Sequence, residues 1–65
     1  MITVFADRLR KQIREQMNNY ADDVAGGACG TFDEYKRLCG VIEGLAIAER
    51  FLLDLCEKVE KADDD

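Results

Sequence analysis

Histidine and proline are both missing from this chain of 65 residues, and cysteine occurs only three times. Without histidine, neither a general base poised near neutral pH nor the commonest zinc ligand is on hand. Cys29, Cys39 and Cys56 show no C-x-x-C spacing, so a tetrahedral zinc site lacks ligands. An odd count at this low density argues against a disulfide scaffold. Cys39 and Cys56 also fall on sides of a helical pattern where an apolar residue fits, so the thiols are expected to be reduced, in a cytoplasm-like compartment. No metal and no cofactor is implied.

Long hydrophobic runs are lacking as well. The most apolar stretch, Leu45 to Leu55, is interrupted by Glu49, Arg50 and Asp54, and cannot span a bilayer. Met1 to Ala6 is a short apolar start that Asp7 and Arg8 end, well short of a signal-peptide core with a basic leader. The chain is expected to be soluble and to start at its natural methionine. Nucleotide and hydrolase motifs are also missing: there is no G-x-x-x-x-G-K-[ST], no G-x-G-x-x-G and no G-x-S-x-G. Cys29 beside the glycine-rich turn has no base to activate it. No catalytic residue emerges, and the expectation is that the protein is not an enzyme.

Charge is present but uneven. The net charge is −5, yet Arg8, Arg10, Lys11 and Arg14 cluster near the start, while Asp22, Asp23 and Asp63 to Asp65 are acidic. These read first as solvated faces and a solubilising tail. A phosphate-contacting patch on the basic cluster is disfavoured, because overall acidity repels nucleic acid and no aromatic is interleaved to stack on bases.

Glycine is confined to two places, and both carry information. Gly26, Gly27 and Gly30 punctuate the middle; Gly40 and Gly44 lie inside the second helical pattern. Gly26 or Gly27 suits the left-handed residue that closes a helix, and Thr31 with Glu34 forms a capping box that opens the next. The connection is short enough to force an antiparallel arrangement. The predicted fold is all-α: an antiparallel two-helix hairpin spanning residues 1–61 as one domain. Helix 1 is expected over about 4–25 and helix 2 over about 32–61, with an acidic frayed tail at 62–65.

The two helices differ in kind. At about 100° per residue, helix 1 has one stripe, with Leu9, Ile13 and Tyr20 in line with Ile2 and Val24, flanked by Phe5, Ala6 and Met17. Helix 2 has a heptad-like seam of Tyr35, Leu38, Ile42, Leu45, Leu52, Cys56 and Val59, and beside it a second row of Val41, Gly44, Ala48, Phe51 and Leu55. Together they make an apolar arc of roughly 200°. Helix 1 can cover only one side of that arc. Domains this small bury only about 60% of the surface their unfolded chain exposes, and with metal and disulfide unsupported, oligomerisation is left to complete the fold.

The candidate interface is therefore Val41, Gly44, Ala48, Phe51, Leu52 and Leu55. Gly40, Gly44 and Ala48 lie on one side of helix 2 at a cost of roughly 1 kcal/mol per glycine against alanine. They either admit a close helix backbone, from helix 1 or from a second copy, or are merely tolerated, with Gly40 marking a kink. Glu49 interrupts the seam. It either forms a buried ion pair with Arg10 or Arg14, or a partner's arginine, or sits at the seam's edge and reaches solvent.

The run from Phe32 to Glu49, with Tyr35-Lys36-Arg37-Leu38, then Gly40, apolar residues, Gly44-Leu45 and Ala48-Glu49, resembles a pattern in small, uncharacterised helical proteins of tailed bacteriophages. Arg8-Leu9-Arg10-Lys11-Gln12-Ile13 is similar to their opening. The resemblance covers most of the chain through packing motifs and transfers no active site. It implies expression in the host bacterial cytoplasm and a place among virion or head-assembly genes, with incorporation in the virion as one outcome.

The expected function is a non-catalytic protein–protein interaction and assembly module. The expected partner is a second copy, with a dimer favoured as a four-helix bundle and a larger helical assembly next, or another phage or host protein; nucleic acid and membrane are not expected. The alternative is a phage-encoded regulator or inhibitor that binds a host protein through the helix 2 surface or the acidic edge.

Overall fold

A computed structural model describes the backbone of residues 2–63 and the side chains of residues 4–61. It contains two helices, α1 (Ile2–Ala25, 24 residues) and α2 (Phe32–Asp63, 32 residues), packed as an antiparallel hairpin. Ile2, placed on the helix 1 stripe by its spacing, and the end of the acidic tail at Asp64 and Asp65 lie outside the described side chains. The helical backbone includes Ala62 and Asp63, two residues past the end expected from the sequence.

Local chemistry explains the turn. Gly27 has φ of +80°, a conformation that costs any residue with a Cβ. Around it, the Ala28 N–H donates to Asp23 C=O at 3.0 Å and the Gly27 N–H to Val24 C=O at 3.3 Å. This pair of bonds is a Schellman closure, which satisfies carbonyls that the helix end would otherwise leave bare. Four residues later Thr31 opens α2. Its Oγ1 accepts the Glu34 N–H at 3.1 Å, and its carbonyl accepts the Tyr35 N–H at 3.1 Å. The reciprocal arm of the cap is displaced by one residue: Glu34 Oε2 accepts from the Gly30 N–H at 2.9 Å rather than from Thr31. Asp33 and Glu34 in the first turn and Lys61 in the last turn oppose the helix dipole at the right ends.

Helix α2 runs unbroken through Gly40 and Gly44. The chain measures 53 × 17 × 11 Å, with a radius of gyration of 15.3 Å. A compact chain of this length would have a radius near 11 Å. The thinnest dimension is that of a single layer of helices. A single layer has no inside. Ala6, at 7% exposure, is the one buried apolar residue among those described, and no described side chain is fully buried. Ile13, Met17, Tyr20 and Val24 from α1 meet Leu38, Ile42, Leu45, Leu52, Cys56 and Val59 from α2 along a seam where every member is only half-buried. Tyr35, expected on that seam, is exposed at 43% in the first turn of α2.

Candidate functional site

The seam is organised around one acid. Glu49 is only 7% exposed, although it is charged. Arg14 meets it with a two-pronged contact, Nε to Oε2 at 2.5 Å and Nη2 to Oε1 at 2.9 Å. Arg10, one turn earlier on α1, adds Nε to Oε2 at 3.5 Å. The three residues sit where they do because Arg10 and Arg14 stand at i and i+4 on α1, opposite the middle of α2. Both arginines keep about half of their side-chain surface in water while the carboxylate is largely withdrawn from it. The hydrogen bond from Arg14 holds the Glu49 carboxyl below its ordinary value of 4.5; burial pushes the other way, and the charge of Arg14 and the contacts from Arg10 add to the lowering. The result is a satisfied ion pair, since no buried side-chain polar atom among the described residues lacks a partner. It also commits half of the basic cluster. Arg8 and Lys11 are the members of the cluster that do not pair with Glu49, which weakens any phosphate-binding use of that patch.

The opposite flank of α2 is bare. Phe51 is 68% exposed and Leu55 60%, and Gly44 and Ala48 are exposed beside them. Neither a side chain nor an atom of α1 lies within 4 Å of where a Cβ would stand on Gly40 or Gly44. Helix 1 therefore does not fill the small-residue groove. Of the interface residues expected from the sequence, Val41 and Leu52 are half-buried at the edge of the seam, while Gly44, Ala48, Phe51 and Leu55 form the open face.

That face continues into an open groove between the helices, of about 650 Å³, lined by Phe5, Ala6, Leu9, Leu52, Leu55, Cys56 and Val59. Phe5 and Leu9 are the part of this surface that the sequence reading did not assign to it. Phe5 is 74% exposed rather than packed on the helix 1 stripe. Phe5 projects about 100° from Ala6, on the same edge as Leu9, and with α1 rotated as it is that edge does not face α2. The groove has the volume of a ligand site, but none of the convergent polar groups that orient a small substrate. It reads as an unfilled packing surface. Ile47 and Leu53 add further exposed apolar area on α2.

Cys39 is exposed, contrary to its expected apolar setting, because it projects about 80° from the line through Glu49 that faces α1. Cys29 and Cys56 are half-buried, and all three cysteines are free. The glycine-rich turn offers no anion site, since Glu34 already occupies the Gly30 amide. No cluster of three or more His, Cys, Asp or Glu able to hold a metal is found among the described residues. No helix among them is long and apolar enough to cross a membrane. Searches against protein-family models, curated proteins and solved structures find no match to this chain.

Proposed function

We propose that this chain is a non-catalytic assembly module that self-associates through the bare flank of α2, pairing two hairpins into a four-helix bundle. One observation carries this reading. The hairpin exposes 5349 Å² at 7.3 kDa, where a folded monomer of that mass exposes about 4,200 Å². The excess exceeds the roughly 800 Å² that a standard interface takes from each partner. Phe5, Phe51 and Leu55, each at least 60% exposed, are large apolar side chains on that surface, which water does not favour. A second hairpin packed on that flank covers the side of α2 that α1 leaves bare.

The biological setting we propose is that of a small bacteriophage virion or head-assembly component, made in the host bacterial cytoplasm. The likeness of Phe32 to Glu49 and of Arg8 to Ile13 to small phage proteins supports it.

Sedimentation equilibrium of the full chain tests the assembly, with a dimer at micromolar concentration as the expected result. Mass spectrometry of purified particles tests the setting, with the chain expected among the virion proteins or in assembling heads. A chain that stays monomeric at high concentration and is absent from particles would instead favour the regulator reading, in which a host protein covers the same flank.

A further inference from the structure

The open flank of α2 carries its own complement. Reading along it, two holes come first, at Gly40 and Gly44, where no side chain and no atom of α1 approaches the Cβ position within 4 Å. Two knobs follow, Phe51 and Leu55, both mostly in solvent. Holes and knobs have the same four-residue spacing, and Ala48, small and exposed, lies between them. A surface with holes at one end and matching knobs at the other fits a copy of itself turned end for end.

We infer that the occupant of this flank is a second copy of the chain, with the two α2 helices antiparallel and the two-fold axis passing between Ile47 and Ala48. This inference rests on the assembly reading above and specifies its geometry. Each Gly44 then receives the partner's Phe51, and each Gly40 lies beside the partner's Leu55. By the two-fold, the same contacts repeat on the other side of the axis, as an isologous interface requires. A parallel pairing sets Phe51 against Phe51 and Gly44 against Gly44, which crowds one end and leaves a void at the other. The antiparallel register also addresses the groove. The turn of the partner's α2 that holds Gly40 and Gly44 comes to lie alongside Leu52 and Leu55, over the groove those residues share with Phe5 and Leu9. With no Cβ at either position, that turn can approach more closely than a helix of larger residues, whose axes stay 8–10 Å apart. Each glycine's cost to helix stability is thereby offset by contact across the interface.

Arg37 and Lys58 fall in the same register, one at each end of the flank, and both are exposed. Their distances report the arrangement without altering a knob or a hole. In the proposed dimer Arg37 lies near the partner's Lys58, while the two Arg37 residues are about 30 Å apart at 1.5 Å of rise per residue.

The test uses the full chain with Cys29→Ser, Cys39→Ser and Cys56→Ala, into which Arg37→Cys or Lys58→Cys is placed singly, and a short bis-maleimide linker. Circular dichroism and sedimentation first establish that each variant is helical and has the mass of the unsubstituted chain. Linked dimer is expected only when the two variants are mixed, and none when either is alone. Linking within each single variant would show a parallel pair and overturn the register, as would a persistent dimer that links in neither case. Both results leave the assembly reading standing. A monomer in sedimentation of the unsubstituted chain overturns the assembly reading and this geometry with it.

Discussion

Arg14 holds Glu49 with both prongs of its guanidinium, across the seam between helices α1 and α2 and within reach of Arg10. This is the strongest directional contact in a hairpin that otherwise coheres through half-buried apolar side chains. A carboxylate this withdrawn from water, once deprived of its partners, is more costly than no carboxylate at all. Arg14→Ala is therefore expected to lower the midpoint of thermal unfolding more than Arg10→Ala, whose contact is longer. The double substitution Arg14→Ala with Glu49→Leu is expected to recover part of the loss. Thermal melts by circular dichroism at one fixed chain concentration check the order, and equal effects at Arg10 and Arg14 would contradict it.

The same pair sets an acid limit. The folded state holds the Glu49 carboxyl below its ordinary 4.5. Its contribution to stability is thus present above that ordinary value and is lost as pH falls from there through the lowered folded value. Between neutral pH and about pH 5 this group adds no pH dependence. Glu49→Gln is expected to be less stable at neutral pH and to lose the part of the acid-induced decline that Glu49 contributes. The check is a series of urea unfolding curves from pH 7 down to pH 3. If the variant and the parent decline in parallel, the pair does not shape the acid limb.

How much of this was legible in the chain follows from the range of each interaction. Thr31 with Glu34, and Gly27 after Ala25, are signals confined to five or six residues, and the hairpin follows from them because a short connection leaves no other packing. The seam from Leu38 to Val59 was legible for the same reason, since a helix repeats every 3.6 residues whatever lies against it. Three features needed the second helix in place. Which arginine meets Glu49 depends on the vertical offset between helices, and Arg10 and Arg14 are equivalent on a projection. Whether Gly40 and Gly44 were filled depends on how α1 is rotated about α2, and it sits on the Glu49 side instead. Phe5 lay at the edge of its stripe, where a few degrees of rotation decide between core and solvent.

The bare flank predicts a contrast between neighbours. Leu55→Asp removes an apolar side chain worth about 1.5–3 kcal/mol when buried and places a charge in the proposed interface. A rise of about a hundredfold in the dimer dissociation constant is expected. Asp54→Ala, one residue away and exposed, is expected to stay within about 0.5 kcal/mol of the parent, as surface changes usually do. Analytical ultracentrifugation over a dilution series reads both. Equal dissociation constants for the two variants would remove Leu55 from the interface.

Gly44→Leu should move two observables in opposite directions, which separates interface packing from helix propensity. Within one hairpin the added Cβ has no atom of α1 within 4 Å, and leucine replaces a residue that costs a helix roughly 1 kcal/mol. At concentrations low enough to keep the chain monomeric, the variant is therefore expected to be more helical than the parent. In the dimer the added side chain fills the hole that receives Phe51, and overpacking of this kind costs about 1–3 kcal/mol, or about five- to 150-fold in dissociation constant. Because the parent gains stability by mass action as it dimerises, its melting temperature climbs with concentration, and that of Gly44→Leu should climb far less. The two melting curves are then expected to cross as concentration rises. A variant that is more stable than the parent at every concentration would mean that nothing packs against Gly44.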